Sequence, residues 1–532
     1  MPAFVRRRSR SARLAAIFPL LYLALGLAVI PQAGLQDDEL LFTAPFFHLP
    51  GAAVFSVRLF HAHLPLMLLT YLGALKSWLY FPILASFPPT YLTIRLPVLA
   101  TGSLTVWLFF RLLERTNGRT AAWVGSLLLA TDTIFLFTTC FDWGPVALQH
   151  LLAVAAMTLV VKFAQEGTRW ALAGGFFCIG LACWDKALFI WLFSGLIAGA
   201  IAIFPREVWT RCTPKNVGVA AAALCVGALP LLAYNAASNL ATLRANTSFD
   251  LGQIPSRLHA LRITWDGEIL WGYMVHAPWS PGTPLESGSV VDRASADVHK
   301  LAGFRYHNAL EPAFWAALAM APFLWFTRAR KTLLFCLIAM AVAWFQMAIT
   351  KGAGDGAHHV VLLWPLPHWF VAVALSEASR WKRLYRYQAG AVLLGAVMLF
   401  LAGESLLLTN EYFYQLSHFG ALGGWSDAIY RLSDEVSRMS SPRVVVDDWG
   451  ILNGLVVLSG GKIDVALAND HTPFAGRVWI GHTPEFEQQP GASRRTIEAA
   501  RSAGFEKRVT EAVPDRNGRP VFEIFHFVRA AN

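Results

Sequence analysis

Charge is scarce in this chain. Only 15% of its residues are Asp, Glu, Lys or Arg, where a soluble protein carries roughly 25%. A chain so short of charge cannot cover a water-facing surface of ordinary composition, so much of its surface must face lipid. Cysteine is scarce too. The six Cys stand in or near apolar stretches without paired spacing, which argues against a disulfide framework and against a Cys-type zinc site. No internal repeat, low-complexity segment or nucleotide-binding glycine loop occurs. The formal charge of +10 does not mark a nucleic-acid-binding face, because the basic residues fall in short clusters between apolar segments.

What the chain has in abundance is hydrophobic residues, at 55%, in segments close to the ~20 residues a helix needs to cross a bilayer. Such segments lie at about 14–30, 93–110, 120–138, 146–161, 170–184, 188–204, 217–235, 312–327, 332–350, 360–376 and 388–408. The first is too long for a signal peptide and no small-residue cleavage site follows, so an uncleaved span is expected. With the N-terminus in the cytoplasm, the inside loops 1–13, 111–119, 162–169, 205–216, 328–331 and 377–387 hold 20 Lys and Arg. The outside loops are far longer and much less basic. That is the positive-inside pattern.

Three outside segments are large. The first, 31–92, contains an apolar stretch from Leu64 to Leu84 interrupted by Lys76, Ser77 and Pro82. Counting it as a span would put every later basic cluster outside, so helices lying in the interface are expected. The second, 236–311, is polar and rich in Gly, Pro and Trp. The third is the tail, 409–532, where RVVVDDWG, VWIGHT and VFEIFHFV pattern as strands and SRRTIEAARSAGF as a helix. The expected fold is an α-helical polytopic membrane protein with about eleven spans over 1–408. A small outside α/β domain begins at about residue 442, within the tail.

The residues that could carry chemistry come from separate segments. Asp37-Asp38-Glu39 follows the first span directly. Adjacent carboxylates at a membrane boundary repel one another and are costly to desolvate. General-base catalysis is one use for them; a helix N-cap is the bland alternative. His63 and Arg58 lie further along the same loop. Asp142 sits in a short turn after the third apolar segment, Asp185-Lys186 divides two apolar runs, and His358-His359 top the tenth. Adjacent His on a helix point about 100° apart, which disfavours a shared metal. All are expected at one membrane face. A cavity holding both carboxylates and cations suits a substrate with hydroxyls and a phosphate.

The order of these motifs resembles that of membrane glycosyltransferases with the C-type fold, such as the dolichyl-phosphate-mannose protein mannosyltransferases and the lipid A aminoarabinose transferase. Asp38-Glu39-Leu40-Leu41-Phe42 is similar to their acidic motif after the first span. His63-Leu64-Pro65-Leu66 resembles their His-Pro-Pro-Leu, and Arg95-Leu96-Pro97 with Arg111-Leu112-Leu113 and Gly118-Arg119 resembles the second span and its turn. Phe141-Asp142 resembles the second acidic site, and Asp185-Lys186-Ala187 stands where many members have Thr-Lys-Gly. Leu64 and Ala187 depart from the pattern, each standing in for a Pro or a Gly. The likeness covers about residues 14–200 and is only general beyond.

The resemblance implies a polyprenyl-phosphate sugar donor and transfer to an acceptor hydroxyl, on a glycan, lipid or protein, with inversion. Asp38 would be the base. Glu39 and Asp142 would position acceptor or sugar, and Lys186 and His63, with Arg58 in reserve, would stabilise the leaving phosphate. His358 and His359 lie beyond the resemblance and are candidate substrate contacts from their position alone. Relatives differ in metal use, and no divalent-metal ligand set is indicated here, nor any nucleic-acid partner. The expected location is a bacterial inner (plasma) membrane, with the N-terminus cytoplasmic and the C-terminus outside. The rival readings are a transporter, which would show related halves or charges near mid-membrane, and a non-catalytic membrane protein with an outside domain.

Overall fold

The computed structural model describes all residues except 1–14, 48, 50, 60–61, 278–283, 286–287, 353, 355, 381–388, 440–442, 470 and 531–532. The N-terminal Arg cluster and most of the basic turn 377–387 therefore lie outside the described residues.

Helix underlies every one of the expected apolar segments. Four helices are individually long and apolar enough to cross a bilayer: Tyr91–Thr116, Val146–Glu166, Ala329–Ile349 and Ala389–Phe419. Four more candidates, among the described residues, are pairs bent at a short break. One break has a clear cause. Asp132 leaves helical conformation between Arg119–Thr131 and Thr133–Cys140, accepts from the Phe135 N–H at 2.5 Å, and bonds His368 at 3.1 Å. The chain bends there by 58°. The protein is an integral membrane protein, with one large core made by these helices.

The first long connection differs from expectation. Residues 64–67 do not begin a helix. They belong to strand β2 (Ala62–Met67), which pairs antiparallel with β1 (Phe55–Leu59), and the helix in this apolar stretch begins only at Leu75, as Leu75–Ser86. Pro65 explains the difference: a proline disfavours helix in the residue before it and lacks the N–H a helix interior needs, whereas an edge strand tolerates it.

The last membrane helix runs on to Phe419. A five-stranded sheet follows, its strands in the order Asp464–Leu467, Arg443–Val446, Val478–His482, Pro520–Arg529 and Phe505–Pro514. Strands β3 (Arg443–Val446), β4 (Asp464–Leu467) and β5 (Val478–His482) are parallel; β6 (Phe505–Pro514) and β7 (Pro520–Arg529) complete it antiparallel. The turn after β3 is structural at Asp448. Its carboxylate takes the N–H groups of Gln488 and Gln489 and bonds His482 at 2.7 Å, and those bonds hold it below the usual carboxylate range against the cost of burial.

This sheet domain rests on the acidic loop. Gly34 donates its N–H to the Trp425 carbonyl at 2.7 Å, and any side chain at Gly34 would collide with the Ser426 carbonyl. Val457 joins Leu35, Leu40 and Ala44 in one apolar cluster.

Candidate active site

The acidic triplet forms one helical turn, Asp37–Leu40, held by a reciprocal cap: the Gln36 side chain accepts from the Asp38 N–H at 2.6 Å and the Gln36 N–H donates to Glu39 at 3.1 Å. The three carboxylates then diverge. Asp37 turns toward Asn453 of the sheet domain, where burial, with Asp38 beside it, pushes it up to about 7. Glu39 turns into the protein and meets Arg95. Asp38 alone keeps part of its surface open.

Arg95 is fully buried and uses all of its donors. Nε and Nη2 bind the two Glu39 oxygens at 2.7 and 2.6 Å, Nη1 binds the carbonyls of Ile30 and Ala33, and Nη2 also binds that of Gly34. The guanidinium lies over the Phe141 ring at 4.5 Å. Glu39, expected to position acceptor or sugar, has both of its oxygens bonded to Arg95 and so braces the loop that presents Asp38.

Asp142 sits opposite, at a positive φ of 42°, a conformation that costs a non-glycine residue of order 1 kcal/mol or more. Two contacts hold it there. Its Oδ1 accepts the Ala147 N–H at 2.8 Å at the start of the Val146–Glu166 helix, and Lys76 Nζ lies 2.6 Å from Oδ2. Lys76 also donates to the Gly144 carbonyl at 3.0 Å and lies over the Phe42 ring. Spacing alone gives Lys76 no role, because its only signal is a single Lys inside an apolar stretch.

Lys186 closes the group. Gly73 donates to the Asp185 carbonyl at 3.0 Å, Ala187 donates to that of Tyr71 at 2.9 Å, and Leu72 and Lys186 form an isolated bridge. So the loop after β2 clips the Lys186 backbone in place. Gly73 is obligatory there, because a Cβ would collide with the Trp184 carbonyl oxygen. Gly73→Ala is expected to displace Lys186 and lower any activity of the site at least tenfold while the membrane helices still form. Activity measured beside circular dichroism checks this.

The electrostatics tie these groups together. Burial pushes Asp38 up, opposed by the charges of Lys186 and Lys76. Burial likewise raises Asp142, opposed chiefly by Lys76. Lys186 is pushed down to about 8 by burial, although Asp38, Asp185 and Asp142 all favour its charge. Lys186 also lines a narrow cavity of about 10 Å³, roughly the room of one water, with Gln149, His150, Trp191, His358 and His359. His359 Nδ1 accepts the Gly354 N–H at 3.1 Å; His358 is less buried and lies beside it, ring centroids 4.1 Å apart and the planes tilted by 44°. His150 Nε2 and Gln149 Oε1 are buried with no hydrogen-bond partner among the described residues.

Arg58 and His63 are placed elsewhere. They face each other across the β1–β2 hairpin, both exposed, and neither is drawn into the buried charge group. The structure thus gathers Asp38, Asp142, Lys186, His358 and His359 around one region and adds Lys76, His150 and Gln149 to it.

The whole chain superposes on a known membrane enzyme. Against ArnT from Cupriavidus metallidurans bound to undecaprenyl phosphate, the TM-score is 0.55 at 14% identity, over 96% of this chain and 97% of that one. The fold is that of the C-type membrane glycosyltransferases. The apo state of the same ArnT gives 0.53 at 13% identity, over 95% and 97%. A weaker likeness, at 0.47 and 12% identity, links 96% of this chain to 74% of the oligosaccharyltransferase AglB from Archaeoglobus fulgidus. No protein-family model and no curated protein matches the sequence. At 96% coverage the superposition takes in the helical body, the long first connection and the terminal sheet domain alike.

Proposed function

We propose that the protein moves a sugar from a polyprenyl-phosphate donor to an acceptor hydroxyl at the extracytoplasmic face of the membrane, with inversion. The observation that carries this reading is the inequality among the acids. Glu39 and Asp142 are tied by ion pairs, while Asp38 is partly open and faces two lysines. A free base next to cations is what displacement of a phosphate by a hydroxyl needs.

In the proposed step Asp38 takes the acceptor proton as the hydroxyl oxygen attacks the anomeric carbon. The bond from that carbon to the phosphate oxygen breaks on the opposite face, and polyprenyl phosphate leaves with an added negative charge. Lys186 stabilises that charge, with the less buried His358 beside it as a further contact for phosphate. Asp142, fixed by Lys76, positions the sugar or the acceptor. The donor enters sideways from lipid, as suits a chain whose body is apolar.

Lys186→Ala is expected to lower turnover by roughly 10²–10³-fold, the cost of losing one preorganised charge at a developing anion. An unchanged rate would remove Lys186 from the site. The pH profile follows from the same groups. Asp38 must be ionised, and burial places its titration above the usual carboxylate range, so activity falls on the acid side already above that range. Lys186 must be protonated, so activity falls again as pH rises through about 8. Lys186→Arg keeps its charge at higher pH and is expected to remove only the alkaline limb. A profile of kcat/KM unaltered by that change would contradict the assignment. In cells, deleting the gene is expected to make a lipid-linked sugar accumulate, read by mass spectrometry of extracted lipids.

A further inference from the structure

A second group of ligand-type side chains lies apart from the Asp38 region, in the connection between the Leu229–Ala237 and Leu310–Met320 helices. Asp266 ends the Ile254–Trp265 helix, Glu268 opens the next turn, and His307 comes from the extended link before Leu310. Gly267 between the two acids has φ +89°, a left-handed turn that folds Glu268 back beside Asp266. Asn308 donates its N–H to the Asp266 carbonyl at 2.6 Å, which brings the His307 strand alongside.

The side chains are arranged as ligands, not as a closed hydrogen-bond network. Asp266 Oδ1 is used by the Glu268 N–H at 2.9 Å, and Oδ2 faces His307 Nδ1 at 3.5 Å. One Glu268 oxygen, Oε1, accepts the Tyr306 hydroxyl at 2.7 Å. One ligand atom from each of Asp266, Glu268 and His307 can be chosen so that all lie within 4.8 Å of one another. The His307–Asp266 separation is long for a hydrogen bond. It matches the edge of a tetrahedron around Zn²⁺, about 3.4 Å for bonds of about 2.1 Å. Charge points the same way. Asp266 is opposed by Glu268 and Glu311, and the nearby Arg262 is an exposed side chain 3.4 Å from Glu311.

We propose that Asp266, Glu268 and His307 bind a divalent transition-metal ion of the Zn²⁺ type, with Tyr306 orienting Glu268 from outside the coordination shell. The ion fastens the Ile254–Trp265 helix to the link that enters Leu310–Met320. The turn it fixes continues into Trp271 and Tyr273. Tyr273 packs against Trp143 at 5.2 Å, and the charge of Asp38 reaches it. On the proposed function, the ion therefore steadies one wall of the active region without taking part in the chemistry.

The test uses the full chain in detergent, stripped with chelator and titrated separately with Zn²⁺, Mn²⁺ and Mg²⁺. One equivalent of Zn²⁺ is expected to bind in the micromolar range or tighter, to raise the melting temperature by several degrees, and to be favoured over Mg²⁺. Glu268→Gln and His307→Ala are each expected to weaken that equivalent at least tenfold. Glu268→Gln is nearly isosteric and keeps an acceptor for Tyr306, so it serves where His307→Ala does not fold. Absence of Zn²⁺ binding by the wild type overturns the proposal, and so does undiminished binding by a folded Glu268→Gln variant. Binding is read without a transfer assay, so its failure leaves the role of Asp38 standing, and failure of transfer leaves the metal result standing.

Discussion

Asp38→Asn is expected to lower turnover by about 10²–10⁴-fold, the range that general-base catalysis contributes, with KM for the lipid donor little changed. The asparagine keeps the shape of the side chain and removes the negative charge, and with it the basicity needed to take the acceptor proton. It leaves the loop intact, because the cap is made by the Asp38 backbone N–H to Gln36 and the brace by Glu39 to Arg95. The prediction is therefore specific to chemistry. A folded Asp38→Asn variant with near-normal transfer would take the base role away from Asp38. The same substitution at Asp37 is expected to spare activity, since that side chain faces Asn453.

The largest effect on stability is expected at Arg95. Arg95→Leu leaves the Glu39 carboxylate buried without its partner and strips donors from the carbonyls of Ile30, Ala33 and Gly34. Breaking a buried pair from one side costs about 3–5 kcal/mol, so the variant should melt many degrees lower in detergent and lose activity through the loop that carries Asp38. Adding Glu39→Leu to it should recover part of the loss, because the second change removes the stranded charge. Melting curves of the two single variants and the double variant measure this. Strict additivity would mean that the pair is worth little.

Both expectations depend on contacts of very different legibility. The acidic triplet, the short turn with Asp142 and the Asp185-Lys186 pair were visible because charges in apolar surroundings stand out against their neighbours. The division of labour within the triplet was not visible. It depends on Arg95, whose guanidinium reaches back across 56 residues to Glu39, and one-dimensional spacing carries no sign of that. Lys76 was hidden for a related reason: a lone cation in a helix that touches the membrane body reads as an interruption until Asp142 is seen beside it. His63 and Arg58 pair across the β1–β2 hairpin, a placement that the spacing of the loop does not reveal. In the terminal domain β3, β5 and β7 alternate or run apolar and were legible. Strand β6, EKRVTE at its centre, is largely exposed and polar and was passed over, as was the short β4.

The sheet domain also explains why the acidic loop could not be understood alone. Asp37 is matched to Asn453, Gly34 to the Ser426 carbonyl and Leu40 to Val457, all partners contributed by the last quarter of the chain. The presentation of Asp38 is thus a property of the whole fold.

The most direct measurement places purified protein in liposomes with a mixture of polyprenyl-phosphate sugars and an extract of cell-envelope acceptors, and quantifies free polyprenyl phosphate by mass spectrometry. Wild-type protein is expected to release polyprenyl phosphate in step with glycosylation of an acceptor, and Asp38→Asn to release almost none. Intact movement of a lipid-linked sugar across the bilayer without cleavage, or equal release by the two proteins, would contradict the account.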